Sequence, residues 1–70
     1  MKYLSVFEIS KLIGYSRMTI WLWIRFGELK GMKVGNRWIV SQKAFLQFLE
    51  NTDKVNINEK MRIKAELKGR

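Results

Sequence analysis

The sequence contains no cysteine and no histidine. The first absence rules out a disulfide, and the two together remove the usual ligands of a structural zinc. They also remove the commonest nucleophile and the side chain that serves as general base near neutral pH. Only six acidic residues are present, scattered singly apart from Glu50 and Asp53. The five glycines, at 14, 27, 31, 35 and 69, are spaced as punctuation and form no phosphate-binding loop. No apolar run approaches the roughly 20 residues of a membrane span, and the start, Met1 to Ser5, has no signal-peptide pattern. The expectation is a soluble cytoplasmic protein that is not an enzyme and uses no cofactor or metal.

What is present points elsewhere. Seventy residues allow one domain. Hydrophobic residues make up 47% of them, including three tryptophans and four phenylalanines, which is too apolar for a disordered chain. Such a domain is held by packing alone and is marginally stable. Fourteen basic residues against six acidic ones leave a net charge of +8. A surplus this dense favours a polyanion: nucleic acid first, an anionic membrane second. The plain alternative is a solvated basic surface without a partner.

The order of local signals is specific. Ser5 and Glu8 form a capping box, with Leu4 and Ile9 at the positions of a hydrophobic staple. Ile9, Leu12 and Ile13 share one face, and Gly14 ends this helix after about nine residues. Ser16 caps a second helix over Arg17–Phe26, with Ile20, Trp23 and Ile24 facing inward and Gly27 closing it. Two short helices joined by a three-residue turn make a helix-turn-helix. Met32–Val34 and Arg37–Val40 alternate around Gly35-Asn36, a pair suited to a type II′ hairpin turn. Met32, Val34, Trp38 and Val40 are expected on its buried face, and Lys33, Arg37 and Ile39 on its open one. Ser41 caps a third helix, Gln42 to Glu50, with Phe45, Phe48 and Leu49 inward. Residues 1–51 therefore read as the domain. Residues 52–70 read as a basic, helical or partly disordered tail, with Asn58 capping a helix from Glu59 to Lys68 whose best apolar pair is Ile63 and Leu67.

The stretch from Tyr3 to Leu29, with its Phe7-Glu8-Ile9, Ile13-Gly14-Tyr15-Ser16, Thr19-Ile20 and Gly27-Glu28-Leu29, is similar to the opening of excisionase-type, MerR-like winged-helix proteins. Met32 to Val40 resembles their wing, and Phe45 to Glu50 their closing helix. The resemblance covers residues 3 to 50 and implies a mainly α fold with a small β-hairpin wing, a MerR-like winged helix-turn-helix. It also implies a partner, double-stranded DNA, and a role that is architectural in site-specific recombination or regulatory at a mobile-element promoter. The chain departs from the pattern at Ser10, and at Leu22, Phe26 and Ile39, where basic residues are frequent in the family.

A recognition helix reads base edges from its exposed side near its N-terminus. Arg17, Met18, Trp21, Leu22 and Arg25 lie off the core face. Arg17 can bond guanine with two donors, and Ser16 with the first free N–H groups can hold a phosphate. Thr19 either touches DNA or serves the helix start. Trp21 lies along the backbone or packs on the wing. Arg25 meets phosphate or solvent. Leu22 offers an apolar contact. Lys33, Asn36 and Arg37 of the hairpin reach the minor groove or its phosphate rim. One such module buries little DNA. Self-association, cooperative binding on DNA, the basic tail, a recombinase or the transcription machinery would supply the rest. The rival from another class is a protein-interaction adaptor that keeps the scaffold but not the DNA, motivated by Leu22, Phe26 and Ile39. A basic amphipathic segment on a membrane is disfavoured by the weak stripe of residues 59–68.

Overall fold

A computed structural model describes residues 2–69. The elements follow in the order β1 (Tyr3–Ser5), α1 (Val6–Ile13), α2 (Arg17–Arg25), β2 (Met32–Val34), β3 (Arg37–Ser41), α3 (Gln42–Asn51) and α4 (Ile57–Lys68). The protein is a winged helix-turn-helix: four helices around a three-stranded antiparallel sheet of order β1-β3-β2.

Capping chemistry sets the helix starts. Ser5 Oγ accepts from the Glu8 N–H at 3.1 Å, and Glu8 accepts from the Ser5 N–H at 3.1 Å. This is the reciprocal pair expected of a capping box. Leu4 and Ile9 on either side of it are buried. α1 closes where the Gly14 N–H bonds the Ser10 carbonyl. α2 ends in a Schellman motif. The Glu28 N–H reaches the Trp23 carbonyl at 2.9 Å and the Gly27 N–H reaches that of Ile24 at 3.2 Å. Gly27 holds a φ of +83°, which side chains disfavour. The helix therefore stops at Arg25 with Phe26 as its cap, one residue short of the expected end, and Leu29 drops fully into the core behind it.

The hairpin turn is as expected, but its faces are not. Gly35 has φ +62°, and no residue other than glycine has positive φ among the described residues, as type II′ requires. A two-residue turn places its flanking residues opposite each other: Val34 faces Arg37, Lys33 faces Trp38 and Met32 faces Ile39. Opposed residues share a face, so Met32 and Val34 lie with Arg37 and Ile39. Met32 and Val34 are accordingly exposed, at 47% and 54%, and the expected burial of both is corrected. Ile39, an awkward surface residue on the sequence alone, gains an apolar cross-strand neighbour in Met32.

One strand was not read in the sequence, and one helix was read with a late start. β1 pairs with β3, setting Leu4 against Val40, and both are buried. Three residues are too few to show alternation. The last helix starts at Asn56, whose Oδ1 accepts from the Glu59 N–H at 2.9 Å, and Asn58 is not the cap. The spacing from Asn56 to Glu59 is the capping pattern, and Asn58 lies inside it. α4 buries Ile63 and Leu67 in the same core as Ile9, Ile20, Val40, Phe45 and Leu49. Residues 52–69 are thus packed against the helix-turn-helix.

Long-range polar bonds fix that packing. Arg62 donates to the Leu12 carbonyl at the end of α1 (2.6 Å) and to Glu59 and Glu66 on its own helix. The Tyr15 hydroxyl, in the turn between α1 and α2, donates to the Lys54 carbonyl at 2.6 Å. Its ring meets Trp23 edge-on at 5.0 Å, and Trp23 lies 5.1 Å from Phe48. The turn is clamped from both sides.

Candidate nucleic-acid interface

Ser16 Oγ accepts from the Thr19 N–H at 3.2 Å, and the two hydroxyls lie 2.9 Å apart. Both hydroxyls thus serve the start of α2. With Ile20, Trp23 and Ile24 buried, the outward side of α2 carries Arg17, Met18, Trp21 and Arg25. Leu22 is half-buried.

A groove of about 720 Å³ runs between this helix, the start of α1 and the wing, lined by Phe7, Arg17, Met18, Trp21, Arg37 and Trp38 among others. It joins residues far apart in sequence. The Arg17 guanidinium lies 5.0 Å from the centre of the Phe7 ring, and Lys11 Nζ lies 4.8 Å from it. The Arg25 guanidinium lies 5.4 Å from the Trp21 ring. Cations held on ring faces keep their charge and are restricted in direction. Lys33 stands opposite Trp38 on the hairpin, and Asn36 is exposed at its tip.

The structure thus gathers Arg17, Trp21 and Arg37 around one groove, with Arg25 stacked on its wall and Lys33 beside it. Leu22 is not part of that lining. Two groove residues were not anticipated. Phe7 was legible as an i,i+4 neighbour of Lys11 on α1, but its contact with Arg17 crosses the turn. Trp38, read as core, is half-buried and forms part of the wall.

Charge is unevenly spent. Glu28 pairs with Lys54 at 3.1 Å, Glu50 with Lys64 at 3.2 Å, and Glu59 and Glu66 with Arg62 at 2.7 and 3.0 Å. The hydrogen bond from Glu59 leads in raising the Arg62 pKa above its ordinary value, helped by the charges of both glutamates and opposed by desolvation. Lys60 donates to the Thr52 carbonyl. The cations of residues 54–64 are therefore engaged within the fold. Among the described residues, Arg17, Arg25, Lys33 and Arg37 make no ion pair. These four leave uncompensated positive charge on the helix-turn-helix and wing, while Lys30, Lys43 and Lys68, which also make no ion pair, lie on other parts of the surface.

Residues 3–53 match a family model described as a helix-turn-helix domain. Neither a curated protein nor a solved structure matches the chain at a significant level. Among the described residues, no helix is long and apolar enough to cross a membrane.

Proposed function

The chain belongs to the helix-turn-helix domain family, a family of excisionase-like DNA-binding domains, and from that premise we propose that it reads duplex DNA sequence with α2 in the major groove and the β2–β3 wing at the minor groove. The observation that carries this reading is a cluster of four cations without ion pairs around a single groove. Arg17 and Arg37 line it, Arg25 stacks on its wall, and Lys33 lies beside it, while the acidic side chains of α3 and α4 are paired on other parts of the molecule. Duplex DNA approaching this face meets four cations and no exposed carboxylate partner to repel it.

In this reading Arg17 contacts a base edge. Arg25, Lys33, Asn36 and Ser16 meet the sugar-phosphate strands, Arg37 enters the rim of the minor groove, and Trp21 and Leu22 give apolar contact. The protein acts in the nucleoid, as an architectural factor in site-specific recombination or as a regulator of a mobile-element promoter. Its resemblance to excisionase-type, MerR-like proteins supports both roles. A module of this size covers little DNA and works in cooperative arrays.

A fluorescence-anisotropy titration with random duplex at low salt tests the binding. Binding at micromolar protein or below is expected, with Arg17→Ala and Arg37→Ala each weakening it about tenfold. Absence of binding, or indifference to both substitutions, refutes the reading. Footprinting separates the two roles: tandem sites beside a recombination crossover mark the architectural one, a site over a promoter the regulatory one.

A further inference from the structure

We infer that the site this protein prefers contains a guanine read by Arg17 and a thymine whose 5-methyl group is read by Met18. The inference rests on the proposed placement of α2 in the major groove.

The argument is an inventory of what α2 can offer a base edge. Recognition of adenine needs a paired donor and acceptor, such as an amide side chain supplies, and recognition of cytosine needs an acceptor. The outward side of α2 has neither: Arg17, Met18, Trp21, Leu22 and Arg25 include no amide and no carboxylate. The hydroxyls of Ser16 and Thr19 are turned on each other at 2.9 Å, and Ser16 also accepts the Thr19 N–H. Arg25 lies on the Trp21 ring one helical turn past the groove. Of the donors left on the groove, the Trp21 indole N–H offers a single bond, whereas the Arg17 guanidinium suits the two acceptors of guanine.

Beside it stands Met18, 65% exposed, with Trp21 behind it and Phe7 and Trp38 completing an apolar groove floor. The apolar feature that unmodified DNA presents in the major groove is the thymine methyl. A flexible thioether follows such a group closely. Arg17 and Met18 line the same groove, so the two bases lie within one recognition site.

The test begins with selection of bound duplexes from a random library by the full chain. Affinities are then measured on the selected site with each thymine replaced by deoxyuridine, and each guanine by 7-deazaguanine, in turn. Wild type and Met18→Ala are compared; the exposure of Met18 keeps the variant folded, which circular dichroism checks. At one thymine, loss of the methyl should weaken wild-type binding about fourfold, the worth of one buried methyl, and leave Met18→Ala unaffected. At one guanine of the same site, loss of N7 should weaken binding at least about fivefold. Binding that is indifferent to deoxyuridine at every position, or discrimination that persists in Met18→Ala, overturns this inference and leaves DNA binding standing. Failure to retain any duplex overturns both.

Discussion

Phe7 is a residue whose importance lies in what it holds. It is half exposed, which costs hydrophobic free energy, yet its ring carries Lys11 at 4.8 Å and Arg17 at 5.0 Å. Exposed contacts of this kind contribute about 0.5–1 kcal/mol each. Phe7→Ala should therefore free Arg17 to sample many directions and weaken duplex binding about two- to fivefold. The thermal midpoint should move little, because the ring is not in the core. Paired anisotropy and thermal melts check this, and a large stability loss with unchanged relative affinity would contradict it. Arg17 itself was visible from the sequence as an exposed N-terminal helix residue. Its partner was not, because the pairing spans the turn and no periodicity records it.

At the scale of elements, α4 changes the reading most. The sequence shows a weak apolar stripe and a run of charges, the look of a tail. The structure has Ile63 fully buried and Leu67 nearly so, and Arg62 reaching the end of α1 across 50 residues of chain. A small domain has little stability to lose. Ile63→Ala, removing buried methyl groups, should cost about 2–5 kcal/mol. A urea titration followed by tryptophan fluorescence should find most of the cooperative transition gone, whereas Met61→Ala, at an exposed position of the same helix, should leave the midpoint within experimental scatter. Equal effects would mean that α4 is not part of the core. The earlier elements were legible for a local reason. The Ser5–Glu8 capping box, the Gly27 stop and the Gly35-Asn36 turn are each written within a few neighbouring residues. The hairpin faces were misread although their information was present, because a two-residue turn dictates the register and the register dictates the faces.

Across the whole molecule, the net charge of +8 is less informative than where it is left unpaired. Lys54, Arg62 and Lys64 hold Glu28, Glu59, Glu66 and Glu50. Exposed pairs of this sort stabilise little, but they take charge of both signs away from any distant partner. If Arg25, Lys33 and Arg37 meet phosphates, the logarithm of the binding constant should fall with the logarithm of salt at a slope of about −3. Arg25→Gln or Lys33→Gln should each reduce that slope by about one, and Lys64→Gln should leave it unchanged. A slope that falls equally for all three would show DNA gripping α4 as well.

The sequence by itself determined the helix starts and stops, the turn of the wing, the helix-turn-helix order and an excess of positive charge. Each of these follows from contacts between residues a few positions apart, which spacing can display. The tertiary structure decided that Val55, Ile63 and Leu67 belong to the core and that Phe7 and Trp38 join Arg17 and Arg37 around one groove. The first outcome goes with pairs 14, 39 and 50 residues apart, and the second joins residues of α1, α2 and the wing. Such pairs form only when the apolar faces have packed, and nothing in the local pattern of the chain specifies which of them will meet.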